Sequence, residues 1–284
     1  PLNRLPIEIN PKALIIGGGL AGMTAAQSLA DAGYECYLLE KEDVLGGNMR
    51  HIYYNFDNDP QKMLAETIKN ISENELIHIF KNVKLETVEG FVGNYKTTIG
   101  YKDNDNHDTL EHGIIIVATG AEEHKTKEYL YGESSRIITQ VELEEMMHNK
   151  AFPKPKIKNV VMIQCVGSRE EGKMYCSRTC CTKAVKNALN IKKKYPNANI
   201  YVAYRDVRTY GFREKYYTEL RDQGAMFVHY EPDNKPDVKL VDDFDPASKV
   251  NVTMFDPIMD REIVVEADLL VLATAIDARK ENID

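Results

Sequence analysis

Four cysteines within seventeen residues, Cys165, Cys176, Cys180 and Cys181, carry the strongest chemical signal in this 284-residue chain. They follow an apolar run that reads as a buried strand, Asn159–Gln164 (NVVMIQ), and lead into a helical pattern, Thr182–Lys193. A strand running through a loop into a helix is where a dinucleotide-binding unit carries its glycine-rich turn. Here thiols stand in that place, spaced C-x10-C-x3-C-C. Four thiolates gathered by one loop and one helix start suit an iron–sulfur cluster or a tetrahedral metal site. Structural zinc usually takes two separated short-spaced cysteine knuckles, and only half of this pattern resembles that. A thioredoxin-like pair would be C-x-x-C, whereas the tightest pairs here are C-x3-C and the vicinal Cys180–Cys181. Disulfides are disfavoured because no signal peptide is read and cysteine content is low. Four separately buried cysteines complete the alternatives, since free cysteine is among the most buried residue types. Of these readings the cluster is favoured. The fifth cysteine, Cys36, lies in the apolar stretch YECYLLE and is expected in the core.

A second chemical signature stands near the N-terminus. The short apolar run Lys12–Ile16 is followed by Gly17-Gly18-Gly19-Leu20-Ala21-Gly22, a helical run closing at Gly33, and a second apolar run ending at Glu40. Every part of the dinucleotide fingerprint is therefore present in order. Gly17 permits the tight turn, Gly19 lets the backbone approach a pyrophosphate, and Gly22 allows close packing of helix on strand. The helix start offers free N–H groups to phosphate. Glu40, 18 residues after Gly22, is placed to accept from a ribose diol. The continuation through Lys41 to Gly46-Gly47-Asn48 resembles the extended fingerprint of two-dinucleotide flavoproteins, which favours FAD over NAD. Leu76–Leu85 resembles the strand whose backbone, near Val83, meets the adenine. Gly113–Gly120 resembles the strand that ends the first FAD segment with Thr119 and Gly120. Arg50, His51, Tyr53 and Tyr54 are read evenly as flavin neighbours or as surface and core residues.

These sites require elements to position them. Asp57–Glu73 reads as an amphipathic helix with Pro60 in its first turn, and Gly90–Leu110 as a hairpin or meander. Lys150–Lys158 (KAFPKPKIK) reads as a linker. Beyond it come the cysteine unit, a strand Asn199–Tyr204, a helix Gly211–Asp222, the strand AMFVHY, a hairpin region Lys239–Val265 and the strand ADLLVLATAI. The expected fold is α/β: two Rossmann-like three-layer domains of the two-dinucleotide-binding flavoprotein type. Residues 1–150 form the N-terminal segment of an FAD-binding domain, and residues 151–284 an inserted domain carrying the four-cysteine site. In the inserted domain the first βα turn has Gly167 as its only glycine before Gly172, so nicotinamide binding is not expected there.

Composition narrows the partners. There are 36 Lys and Arg against 44 Asp and Glu, a net charge of −8 with both signs interspersed. That argues against nucleic acid as the main partner, and the basic helix face of Lys183, Lys186 and Lys192–Lys194 is expected to be solvated. No apolar run approaches the ~18 residues of a membrane span. A cytoplasmic location is expected. The chain starts without Met at Pro1 and stops at Asp284, soon after a strand, and reads as part of something longer.

Five stretches carry a family resemblance: GGGLAGMTAA, EKEDVLGGNMRHIYY, IVATGAEEHKTKEYLYGE, VVMIQCVGSREEGKMYCSRTCCTKAVKNAL and YRDVRTYGFREKYY. Together they resemble the A-type subunits of heterodisulfide reductase, flavin and iron–sulfur proteins with a thioredoxin-reductase-like core. The resemblance implies FAD bound through Gly17, Gly19, Gly22 and Glu40, and one [4Fe-4S] cluster on Cys165, Cys176, Cys180 and Cys181. It matches Lys186 to a lysine that approaches the flavin's reactive nitrogen, although five residues place it about 140° around the helix from Cys181. It implies an electron-transfer oxidoreductase active within a complex of redox subunits, with hydrogenase or ferredoxin-type carriers as partners, electron bifurcation, and a homodimer as one arrangement. The piece that would complete the flavin pocket is expected beyond Asp284, and Ala275 stands where the family often has Gly. Two alternatives stay open: an NAD(P)H-dependent disulfide reductase using Cys180 and Cys181, and a non-catalytic, metal-stabilised docking module.

Overall fold

Alternation along short apolar strands builds both halves of the chain. The computed structural model describes residues 8–151 and 157–279. Four parallel strands form the first sheet, in the order Ile77–Phe80, Cys36–Leu39, Ala13–Ile16, Ile114–Val117. Side chains alternate between its faces. Ala13, Ile15, Cys36 and Leu38 pack with Met23, Leu64 and Ile71 of the helices Leu20–Asp31 and Pro60–Ser72. Leu14 and Leu39 pack instead with Val83, Ile99 and Leu110 of an antiparallel three-stranded meander, Val83–Phe91, Asn94–Tyr101 and His107–His112. Burial on both faces is what makes these strands read as continuous apolar runs.

The second half repeats the scheme. Its parallel sheet runs Met226–His229, Asn199–Tyr204, Asn159–Val166, Leu269–Thr274, Ile137–Thr139. Val160, Met162, Ile200, Val202 and Val271 face the helices Gln140–His148, Cys180–Lys194 and Glu214–Asp222. Val161, Ile163, Leu270 and Leu272 face a second antiparallel trio, Asp237–Leu240, Val250–Asp256 and Arg261–Ala267. Each half is thus helices, parallel sheet and antiparallel sheet in three layers.

The compact units do not divide at the expected 150/151 junction. Among the described residues, one unit holds 8–52, 57–122 and 278–279; the other holds 53–56, 123–151 and 157–277. Residues 123–150 go with the second because Ile137–Thr139 hydrogen-bonds to Leu270–Leu272 as an edge strand, and the helix after it buries Leu143 in that core. A capping box closes this helix start: Thr139 Oγ1 accepts from Glu142 N and the Glu142 carboxylate accepts from Thr139 N. The expected linker lies largely outside the described residues.

Local departures have local causes. The stretch 76–85 is two strands, because Asn82 takes a left-handed turn (φ +56°) between Phe80 and Val83. The helix expected at Thr182 starts at Cys180, which puts the vicinal cysteines in its first turn. The helix at 57–73 runs Pro60–Ser72, with Asp59 accepting from Gln61 N and Lys62 N as its cap.

Candidate functional site

In the first unit the glycine loop closes over the C-terminal end of the parallel sheet. Gly17 has φ +113°, and a Cβ there would stand 2.3 Å from Ala118 O and 3.2 Å from Thr119 Cα, so Thr119 and the neighbouring Gly120 lie beside the loop. A Cβ on Gly22 would stand 1.9 Å from Gly17 O, the close helix-to-strand approach the fingerprint requires. At Gly19 a Cβ would meet nothing within 4 Å. The backbone is open there to a ligand, directly before the helix Leu20–Asp31.

Glu40 is buried under the same loop. Its Oε2 accepts from Gly18 N (2.9 Å) and its Oε1 from Glu42 N (3.0 Å), leaving each oxygen a lone pair for a sugar hydroxyl. Val83 N donates to Glu40 O (3.2 Å) and joins the same edge. Gly46 and Gly47 lie on the loop: Gly46 N donates to Gly18 O (2.8 Å), and a Cβ on Gly47 would be 3.3 Å from Gly19 Cα. Asn48 Nδ2 donates to Ala121 O (2.7 Å), and Lys41 follows Glu40 at the rim. Open backbone at Gly19, a carboxylate with spare acceptors and a helix start fit the pyrophosphate and ribose of a dinucleotide.

The second unit has a cysteine loop at the equivalent βα junction. The strand Asn159–Val166 breaks register between Ile163 and Val166, and Cys165 takes φ +64°. The loop then folds on itself. Glu170 and Lys173 exchange backbone bonds around Gly172 (φ +81°), and Arg169 N donates to Tyr175 O. Gly167 has no room for a side chain, since a Cβ would come within 2.1 Å of the His124 ring. The four thiols lie within electrostatic reach of one another. Cys165 and Cys176 each raise the pKa of Cys180 and of Cys181, and Cys181 raises that of Cys180. Their other contacts differ: Cys180 Sγ meets Thr274 O (3.4 Å), Cys181 Sγ meets Asp206 O (3.6 Å), and Cys176 Sγ accepts from Arg178 N (3.4 Å). Among the described residues no three His, Cys, Asp or Glu side chains are arranged to hold a single metal ion. A four-thiol donor set on one loop and one helix start has the soft chemistry an iron–sulfur cluster takes.

Burial pushes the Cys180 thiol up to about 11 and raises Cys165 and Cys181 as well, with Arg169 opposing at Cys165. These three thiols, Cys165, Cys180 and Cys181, therefore stay protonated near neutrality unless a cation displaces the protons. Sequence reasoning missed the guanidiniums around them. Arg169 Nη1 is 4.0 Å from Cys165 Sγ and its Nη2 pairs with Asp206 (2.7 Å); Arg208 pairs with the same carboxylate (3.2 Å). Their signal was present in CVGSRE and YRDVR, but charge spacing alone does not tell a thiol neighbour from a solvated arginine.

Lys186 is not solvated, against the expectation for the basic helix face. It is 8% exposed, and its Nζ reaches both carboxylate oxygens of the fully buried Glu144 and Tyr54 O, each at 2.8 Å. Lys192 is buried too, its Nζ 3.5 Å from Pro196 O. Glu144 also accepts from Tyr53 N and Tyr54 N, so these tyrosines belong to the second unit, while Arg50 and His51 are exposed in the first. Cys36 is fully buried, as expected, and burial raises its thiol to about 11.

Asp277 clamps the cysteine loop. It accepts from Tyr175 OH (2.6 Å) and Lys173 Nζ (3.0 Å), and lies 2.8 Å from His124 Nδ1. Burial would raise its pKa, but these partners hold it well below the usual carboxylate range. A carboxylate depressed on folding stabilises above its unfolded pKa near 4, and that contribution fades as pH falls through the folded value. Asp277→Asn is therefore expected to lower the melting temperature at pH 7, with the gap from the native protein closing below about pH 4. A gap independent of pH in thermal melts would show that the charge is not what stabilises the loop.

No described helix is long and apolar enough to cross a membrane. Residues 15–82 match the family of NAD(P)-binding Rossmann-like domains. Over 97% of its length the chain is 30% identical to the first A-type iron-sulfur subunit of CoB–CoM heterodisulfide reductase from Methanopyrus kandleri, covering 55% of that protein. The corresponding iron-sulfur subunit from Methanocaldococcus jannaschii is 28% identical at the same coverages. The chain spans about half the length of the curated relatives it matches. Among solved structures, Lactococcus lactis thioredoxin reductase superposes with a TM-score of 0.61 at 18% identity, over 96% of this chain and 80% of that one. An NAD-dependent persulfide reductase from A. fulgidus gives 0.55 at 16%, over 95% and 46%. At these identities the likeness is one of fold, the two-dinucleotide-binding flavoprotein type.

Proposed function

From a chain whose near-entire length is homologous to heterodisulfide reductase A subunits, we propose a flavin- and iron–sulfur-dependent electron-transfer module of such a reductase. One observation carries the reading: an open dinucleotide cradle in one unit accompanies, in the other, four electrostatically coupled thiols, one buried and three half-buried. FAD would supply the exchange between two-electron and one-electron transfer, and a [4Fe-4S] cluster the one-electron conduit.

The chain's own residues have definite tasks in this reading. Gly17, Gly19 and Gly22 bring backbone and helix start to the pyrophosphate, and Glu40 accepts from the ribose. Val83 and Lys41 border the adenosine end, while Gly47, Asn48, Thr119 and Gly120 line the path toward the ring. Cys165, Cys176, Cys180 and Cys181 give up their protons to hold the cluster. The helix start at Cys180 and the Arg169 and Arg208 guanidiniums stabilise the resulting negative charge. Lys186 is the positive charge proposed for the flavin's reactive nitrogen, and Glu144 keeps it ionised in a buried site. The partners are other redox subunits, with hydrogenase or ferredoxin-type carriers among them. Bifurcation, a homodimer and a cytoplasmic location complete the proposal.

A dithiol reductase using Cys180 and Cys181 is less well supported, because burial raises both thiols and leaves little thiolate for exchange near neutrality. A docking module without redox chemistry leaves the glycine cradle and Glu40 without a task.

The test is an anaerobic absorption spectrum with iron, zinc and acid-labile sulfide assayed on one sample. About four irons and four sulfides per chain are expected, lost on Cys180→Ala while FAD is retained. Protein that stays iron-free after anaerobic reconstitution would end the cluster assignment; zinc in its place would favour the docking module.

A further inference from the structure

Gln164 breaks the apolar pattern of its strand one residue before Cys165. By alternation it continues the face of Val160 and Met162, toward the helices. It is 2% exposed, and neither its amide nitrogen nor its amide oxygen has a hydrogen-bond partner. Among the described buried side chains it alone has both ends of an amide unpaired. Such a group is costly to bury, and strand ends hold apolar residues at no such cost. The amide lines a cavity of about 10 Å³ with Cys181, Val185, Val202, Tyr204 and Phe227. That volume is at the lower limit for one water.

Cys181 lines the same cavity. As a thiol it gives its hydrogen to Asp206 O. As a thiolate ligand it has no hydrogen to give, and its sulfur becomes an acceptor. Arg208 N–H already bonds that sulfur. The Asp206 carboxylate is occupied by Arg169 and Arg208, so it does not compete for the amide. We propose that Gln164 is a positioning residue that tunes the cluster: its amide N–H donates to the Cys181 sulfur, directly or across one water, and favours the reduced state. This rests on the cluster reading above. Hydrogen bonds to cluster sulfurs favour the more negative, reduced state and so raise the potential.

The test replaces the amide by an apolar group of similar size, Gln164→Leu, and measures the cluster potential by anaerobic titration followed by electron paramagnetic resonance. Iron and sulfide are counted in both proteins. With equal cluster content, the reduction equilibrium of Gln164→Leu is expected to shift about tenfold toward the oxidised state, ~59 mV for a one-electron couple. Gln164→Glu removes the donor and adds an acceptor, so it is expected to shift at least as far in the same direction. Clusters present in equal amount with unchanged potentials would overturn the role of Gln164 and leave the cluster reading standing. An absence of iron from the native protein would instead remove the reading on which it rests. A merely structural role would move the melting temperature and leave the potential where it was.

Discussion

Gly19→Ala is expected to leave the folding stability of the flavin-free protein within about 1 kcal/mol of native while lowering FAD affinity by a hundredfold or more. The stability half follows from geometry. Gly19 has φ −76° and ψ −179°, ordinary extended backbone for any residue, and a Cβ there meets nothing within 4 Å. A gain of roughly 0.4–1 kcal/mol from a less flexible unfolded chain offsets a comparable loss from alanine at a helix N-cap. The binding half follows from the same space. A methyl group would occupy the room the pyrophosphate needs, and a hundredfold loss corresponds to about 2.8 kcal/mol. Gly22→Ala provides the contrast. Its Cβ would sit 1.9 Å from the backbone Gly17 O, so helix and strand must separate. Fold and binding should fall together there, by several kcal/mol in stability, on the order of the larger overpacking penalties. Thermal melts paired with flavin-fluorescence titrations distinguish the two. If Gly19→Ala binds FAD as tightly as the native protein, the pyrophosphate does not lie on this loop.

Removing Glu144 should be among the most damaging single changes in the second unit. Glu144→Ala strands the Lys186 ammonium at 8% exposure and takes the acceptor from Tyr53 N and Tyr54 N. Breaking one side of a buried pair typically costs about 3–5 kcal/mol. At roughly 2–4 °C per kcal/mol for a unit of this size, the melting temperature should fall by ~6–20 °C. Burial already lowers the Lys186 pKa, and Glu144 is what opposes that shift. Without Glu144 the folded-state pKa drops further below the unfolded value near 10.4. Between those two values the unfolded chain binds more protons, so stability must rise with pH. Glu144→Ala should therefore recover part of its loss in alkaline buffer. The double variant Glu144→Leu with Lys186→Met, which removes both charges, should recover most of it at neutral pH. A Glu144→Ala melt that is near-native and insensitive to pH would mean that Lys186 reaches water by another route.

Much of this was readable from residue order alone. The strand runs KALII, NVVMIQ and ADLLVLATAI are apolar on both faces because each is covered by helices on one side and a meander on the other. The glycine fingerprint was legible because its residues are local and their reasons are steric. What local pattern could not give was tertiary pairing. Lys186 reads as one lysine in a basic helix, and only the arrival of Glu144, 42 residues earlier in the chain, makes it a buried ion. Asp277 reads as a polar residue after a strand, yet it collects Tyr175 and Lys173 from the cysteine loop. The unit boundary was missed for the same reason: strand Ile137–Thr139 pairs with Leu270–Leu272, more than a hundred residues away.

The two units place their distinctive loops at one topological position, above the strand ends and at a helix start. A positive dipole end and unpaired N–H groups come with that position whatever the loop contains. Glycines there leave space for an external anion, a diphosphate. Cysteines there would supply the anion from the chain itself, as the thiolates of the proposed cluster. The architecture thus acts as a socket for concentrated negative charge, and the loop's composition decides whether that charge is borrowed from a ligand or built in.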